Sequence, residues 1–207
     1  MLPEKSQKDP ANDFALLQAW RDGDRDAGDL LLTRYFEVVC RFMRNRADAR
    51  DVEDLVQATF LDCVENRTRI RAEGSFRGFI LAVARYRFYD HLRARKPDRD
   101  AATMSNLSLV DLGTTPSRRV ARDQEAQLLW AALDSIPSEQ QMALELAYWE
   151  GFSGPEIAAV LGVEAGTVRS RLTRARTALR EQLQTDLGEA TAADLLRKLS
   201  ARRGLPS

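Results

Sequence analysis

The sequence predicts an all-α protein built as two small helical domains joined by a flexible linker. Three observations predict it. Glycine and proline are sparse, at 11 and 7 of 207 residues, and long runs are rich in Ala, Leu, Arg and Glu, which favour helix. Apolar residues recur at spacings of three and four, the helical period. Between Pro97 and about Arg119 that period is lost, in a stretch bearing Asp, Ser, Thr, Asn, Gly and Pro, the composition of a linker.

The elements follow in order. Phe14, Leu16, Leu17 and Trp20 mark a short helix ending near Gly23. Leu30, Leu31, Tyr35, Val38, Val39 and Phe42 mark a second, and Val52, Leu55, Val56, Phe60 and Val64 a third. Asn66 to Ser75 lacks a period and holds Gly74, so it reads as a loop. Phe76, Phe79, Ile80, Val83, Phe88 and Leu92 mark a fourth helix, which stops before Pro97 because the residue before proline is steered out of the helical region. A linker of roughly 25 residues would span a few tens of ångströms as coil. After it, Leu128, Leu129, Leu133 and Ile136 mark a helix ending before Pro137. Ser138, with Gln141 three residues on, reads as the cap of the next, which runs to Gly151. Thr185 to Ser207 is a tail with one candidate helix, Ala190 to Arg202.

Composition excludes several classes. No apolar run approaches the roughly 20 residues of a membrane span. The charged start MLPEKSQKDPAND is not a signal peptide, so the expectation is a cytoplasmic protein without membrane insertion. Cys40, Cys63 and the single His91 form no metal-ligand or disulfide pattern. No catalytic constellation and no phosphate-binding glycine loop appears. The chain reads as a non-enzyme with no metal and no cofactor.

Net charge is zero, yet the charge is blocked. Asp48 to Glu65 holds six acids against Arg50; Asn66 to Lys96 holds nine bases against Glu73 and Asp90; Ser138 to Glu164 holds five acids and no base. Local sign decides which surface attracts phosphate. The pattern predicts two basic surfaces for nucleic acid and two acidic ones for other partners.

The most specific stretch is Ser153 to Arg180, SGPEIAAVLGVEAGTVRSRLTRARTALR. Ser153 and Glu156 have the spacing of a capping box, and Pro155 sits in the first turn. Gly162 breaks the helix at a tight turn. Ile157, Leu161, Val168 and Leu172 repeat at one-turn spacing, and small Ala158 permits close helix approach. Arg169, Arg171, Arg174, Arg176 and Arg180 follow, with no acid from Thr167 to Arg180. This is the pattern of a helix-turn-helix that places its second helix in a DNA major groove. The second domain is therefore a four-helix unit with a helix-turn-helix.

DVEDLVQATFLDCVE, SFRGFILAVARYRFYDHLR and LDSIPSEQQMALELAYWEGFSGPEIAAVLGVEAGTVRSRLTRAR occur in that order. Together they resemble the bacterial sigma-70 family, in its short extracytoplasmic-function (ECF) type that keeps only regions two and four. The resemblance runs from about Phe14 to Leu183. It implies region two over 12–96, a linker over 97–121, region four over 122–184 and a C-terminal extension over 185–207. It also implies a promoter-specificity subunit with core RNA polymerase and promoter DNA as partners, reading two promoter elements and opening the duplex. An anti-sigma protein, or the extension itself, would regulate it. A stand-alone helix-turn-helix regulator, or a sigma-like protein that binds DNA or polymerase without opening promoters, is the alternative.

Under this resemblance Arg169, Ser170, Thr173 and Arg174 would read the duplex upstream element, because arginine can bind guanine O6 and N7 bidentately. Arg171 and Arg176 would contact phosphates. Arg67, Arg69, Arg71, Phe76, Tyr86 and Arg87 would hold the melted downstream element, where unstacked bases need aromatic surfaces. Phe79 and Phe88 fit the helix core instead. Asp51, Asp54 and Gln57 would face the polymerase. Three positions depart from the family pattern: Phe79 stands where Trp is usual, Tyr86 where Asn is usual, and Ala58 where Glu usually follows Gln57.

Overall fold

The computed structural model describes residues 10–69, 75–96, 98, 100–114, 116 and 124–201. Among them the secondary structure is helical, and two isolated bridges, Asp48 to Pro116 and Ser108 to Pro137, are the only β-type pairings. No helix among them is long and apolar enough to cross a membrane.

Four helices form the N-terminal unit. Helix α1 spans Pro10–Arg21 and α2 spans Arg25–Arg44. The chain reverses between them at Gly23, with φ of 107°, and the Asp24 carboxylate caps α2 by accepting from the Ala27 N–H at 3.1 Å. Asp13 of α1 is buried and accepts from Tyr35 and Arg34 of α2. Close approach is possible because Gly28 lies under the Trp20 ring; a Cβ there would sit 2.4 Å from Trp20 Cδ1. Helix α3 spans Val52–Glu65 and buries Leu55, Val56, Thr59 and Cys63 on one face. Helix α4 spans Phe76–Arg95, capped by Ser75, whose hydroxyl accepts from the Gly78 N–H at 2.9 Å. Its buried positions include Ile80, Leu81, Ala84, Phe88 and Leu92, so Phe88 is core as the spacing predicts, while Phe79 is half-buried.

The segment between the two units is partly folded. Helices α5, Ala101–Ser105, and α6, Leu109–Leu112, occur in the stretch expected to be flexible linker. Two local devices explain them: Asp100 caps α5 by accepting from the Thr103 N–H, and Ser108 with Asp111 forms a capping box on α6. Met104, Leu109 and Leu112 are buried, and the Lys96 ammonium donates to the Leu112 carbonyl at 2.6 Å.

The C-terminal unit comprises α7, Gln124–Ser135; α8, Ser138–Tyr148; α9, Gly154–Leu161; and α10, Ala165–Leu187. Ser153 and Glu156 form the capping box of α9, and Gly162 takes the left-handed conformation, φ 66°, that ends it. Ser138 departs from its expected role. Pro137 occupies the cap position, and the Ser138 hydroxyl instead meets the Tyr89 hydroxyl at 2.8 Å. Helix α11, Glu189–Ala201, is the extension. It returns along α10, with Ala192 buried in a small core shared with Ala132, Leu133, Ile136, Leu144, Ala175, Leu179 and Leu183.

The main core does not divide at the linker. One cluster joins α1 to α6 with Met142, Ala143, Leu146, Phe152, Ile157, Val160, Leu161 and Val168 of the C-terminal unit. Gly78 on α4 leaves room for α9, since a Cβ there would stand 3.9 Å from Val160 Cγ2.

Candidate nucleic-acid and polymerase interfaces

Helix α10 is held by its apolar side. Val168, Ala175, Leu179 and Leu183 are buried, and Leu172 is half-buried. Helical geometry then turns Arg169, Ser170, Thr173 and Arg174 outward, and all four are exposed. The Ser170 hydroxyl donates to the Thr167 carbonyl at 2.9 Å, and Thr173 donates to the Arg169 carbonyl at 3.1 Å. Arg174 lies back along the helix, donating to the Ser170 carbonyl and hydroxyl, each at 3.3 Å. The face is a polar, cationic strip at the start of a 23-residue helix.

The two phosphate candidates are otherwise engaged. Arg171 does not face solvent with the strip. Its guanidinium donates to Glu139 at 2.6 Å, and Glu139 is buried. Arg176 is exposed and donates to the Tyr148 hydroxyl at 2.9 Å, with its guanidinium 5.7 Å from that ring's centroid.

The candidates for the melted element are scattered. Phe76 is 2% exposed and packs on Tyr35, so in this conformation it is a core residue that cannot stack on a base. Its position one residue after the α4 cap turns it inward. Arg87 chelates Asp62 through Nε and Nη2, and those hydrogen bonds raise its pKa further above the usual guanidinium value. Arg87 is thus tied to α3 in this form. Tyr86 is 55% exposed, with the Arg93 guanidinium 5.9 Å from its ring centroid. Arg67 donates to the Val64 carbonyl at 3.1 Å. The backbone at Arg69 ends a short 3₁₀ turn, and Arg71 lies outside the described residues.

On α3, Asp54 and Gln57 are exposed, and Gln57 donates to Glu53 at 3.3 Å. Asp51 differs: it lies half-buried and accepts from Arg95 at 3.2 Å, with His91 Nε2 3.4 Å away. Beside this face, Phe36 of α2 stacks on Phe60 of α3 with centroids 5.8 Å apart, and Phe36 and Leu61 are 47% and 56% exposed.

The second acidic block corrects an expectation. Glu139, Glu145 and Glu150 were expected to form an outward surface for other partners, and they turn inward onto arginines of the N-terminal unit. Glu139 accepts from Arg85 at 2.8 Å. Glu145 pairs with Arg46 at 3.2 Å and accepts from Asn45 at 2.8 Å. Glu150 pairs with Arg41 and Arg77. Burial, then the nearby Glu139 carboxylate, push the Tyr89 hydroxyl well above the ordinary phenol range, so it stays protonated at this seam. Neither Arg46 nor these glutamates stood out individually in the sequence. The usable signal was an acid-only run following a base-rich one. Among the described residues no group of three or more His, Cys, Asp or Glu side chains is placed to hold a metal ion.

Two family descriptions match this chain: Sigma-70 region 2 over residues 31–97 and Sigma-70, region 4 over residues 126–179. The chain belongs to the sigma-70 family. It is an RNA polymerase sigma factor of ECF type, a transcription initiation factor. The ECF RNA polymerase sigma-E factor of Haemophilus influenzae is 26% identical over 180 residues, covering 83% of this chain and 95% of that protein. The sigma-E factor of Salmonella typhimurium is 29% identical over 181 residues, covering 83% and 94%. Two solved structures share the fold. CnrH in complex with the cytosolic domain of CnrY gives a TM-score of 0.62 at 23% identity, covering 84% of this chain and 99% of that one. The sigma factor RpoE with the anti-sigma factor NepR from Bartonella quintana gives 0.59 at 24% identity, covering 79% and 98%. The region four match ends at residue 179, so the last turns of α10 and all of α11 extend past it.

Proposed function

We propose that this sigma factor reads a duplex upstream element with the exposed strip of α10 and a melted downstream element with the Tyr86 side of α4, while Asp54 and Gln57 of α3 meet core polymerase. Region two takes 12–96, the linker 97–121, region four 122–184 and the extension 185–207. The observation that carries the reading is the strip itself. Arg169, Ser170, Thr173 and Arg174 are exposed together on a helix whose opposite side is locked into the core. A helix presented this way fits a major groove, and its arginines supply bidentate contacts worth about 1–3 kcal/mol each against a wrong base. Tyr86 supplies a stacking surface, worth about 1–3 kcal/mol per base, beside a cationic side chain.

The solved relatives named above are complexes with CnrY and with NepR, the second titled an anti-sigma factor. A protein partner of that kind fits this chain at the exposed Phe36 and Leu61 beside α3. Run-off transcription with core polymerase on genomic fragments tests the whole reading. Promoter-dependent initiation is expected. Binding to core with no initiation on any fragment would favour a sigma-like protein that does not open promoters.

A further inference from the structure

We propose that region four is stowed against region two by three carboxylates, Glu139, Glu145 and Glu150, and that this closed form withholds the recognition helix α10 from DNA. The inference rests on the reading of α10 as the duplex-reading helix.

Charge across the seam has one polarity. The acids come from region four, on α8 and the turn after it; the guanidinium partners Arg41, Arg46, Arg77 and Arg85 come from α2 and α4 of region two. The seam is dry at its centre: the Arg46 side chain is 1% exposed, Glu145 7% and Glu139 3%. Buried charges tolerate so little water only when paired, so these contacts fix one docking register. Apolar packing completes the seam, since α9 buries Ile157, Val160 and Leu161 in the same core as α4.

The same carboxylates reach the DNA-reading helix. Glu139 is shared: one oxygen takes Arg85 of region two at 2.8 Å and the other takes Arg171 of α10 at 2.6 Å. Closure therefore neutralises four region two arginines and one recognition-helix arginine together. It also sequesters α9, the helix that crosses the DNA backbone in a helix-turn-helix. Opening releases all five cations to phosphate and frees α9. The zero net charge is partly the signature of this internal pairing. The folded α5 and α6 hold the connection short in the closed form.

The test uses the full chain with Glu139, Glu145 and Glu150 all changed to Gln, which keeps shape and removes charge. Small-angle X-ray scattering is expected to show a radius of gyration several ångströms above wild type, with helicity by circular dichroism unchanged. Affinity for a duplex carrying the upstream element is expected to rise about ten-fold if about a tenth of wild-type molecules are open. Because removing acids favours DNA by itself, a second pair of variants controls for charge. Glu150→Arg alone should open the molecule and raise affinity; adding Arg41→Glu and Arg77→Glu should reclose it and reverse the gain. An unchanged radius of gyration in the triple variant, or opening without any gain in duplex affinity, overturns the proposal. The scattering arm does not depend on promoter activity. Failure of wild type in run-off transcription therefore counts against the promoter reading and not against closure.

Discussion

Glu145 and Arg46 form an ion pair at 3.2 Å across the seam between regions four and two, with both side chains buried. Asn45 and Gln141 complete the shell of Glu145, and the Phe42 carbonyl accepts from Arg46. The pair lies within a core continuous across the linker, so docking and folding are coupled. Removing one member strands the other. Glu145→Met should weaken the docked form by about 3–5 kcal/mol, whereas Arg46→Met with Glu145→Met should cost much less. Differential scanning calorimetry should show one transition for wild type and two for Glu145→Met, as region four undocks before region two melts. A single unshifted transition in Glu145→Met would count against the coupling.

Gly28 under Trp20 gives a prediction confined to region two. A methyl at position 28 would overlap ring atoms 2.4 Å away, and Trp20 is 7% exposed with little room to withdraw. Gly28→Ala should therefore destabilise by about 1–3 kcal/mol through overpacking, despite alanine's better helix propensity. For a chain near 200 residues that is a fall in Tm of about 2–4 °C per kcal/mol. A red-shifted tryptophan emission should accompany it. A Tm at or above wild type would show that the ring swings aside at no cost.

These contacts mark where the sequence was legible. The periodicity of Leu31, Tyr35, Val38 and Phe42, or of Ile80, Ala84, Phe88 and Leu92, is local, so the helices could be read directly. The α9 capping box and the left-handed Gly162 are likewise local. The outward strip on α10 followed from the same period, because burial of Val168 and Ala175 dictates exposure of Arg169 and Thr173. What distant pairing decides could not be read. Phe76 fits an aromatic platform by composition, yet it packs on Tyr35. Arg87 fits a phosphate contact, yet Asp62 claims it. Glu139, Glu145 and Glu150 look like an outward acidic face until α4 is brought beside them. The linker was misjudged for a smaller reason: α5 and α6 span 5 and 4 residues, too short to show a period, and they hold through caps and buried contacts.

Cys63 predicts an alkaline limit to stability. It is fully buried, and burial, with the Asp62 carboxylate adding, pushes its thiol up to about 12 from 9.0. Below pH 9 the thiol is protonated in folded and unfolded chains alike, and its contribution is fully present. Above that the unfolded chain releases a proton that the folded chain keeps, so stability falls as pH rises toward 12. Near pH 10.5 the loss from this group approaches about 2 kcal/mol. Tyr35 and Tyr89, both held above the usual phenol range, act in the same direction above pH 10. Denaturant midpoints should drop between pH 8 and 10.5. Cys63→Ala should be weaker at pH 8, because it leaves a cavity, but should show a shallower drop.

The α10 strip separates two kinds of arginine. Arg169 is exposed among residues that reach base edges, whereas Arg176 sits two turns further on, against Tyr148. If Arg169 reads a base, Arg169→Ala should lose about 1–3 kcal/mol on the preferred duplex and little on scrambled duplexes, relaxing the preference at one position. If Arg176 meets phosphate, Arg176→Ala should weaken all duplexes alike and reduce the slope of log affinity against log salt by about 0.9. Arg174 adds a third outcome. Its guanidinium is already aligned by the Ser170 hydroxyl, so Ser170→Ala should weaken specific binding by freeing Arg174, even where Ser170 itself touches no base. Salt titrations on matched and scrambled duplexes measure all three. They should be run in the Glu139, Glu145 and Glu150 to Gln background, where an open chain removes the cost of undocking from the comparison. Equal loss on every sequence for Arg169→Ala would remove it from base reading and assign it to the backbone.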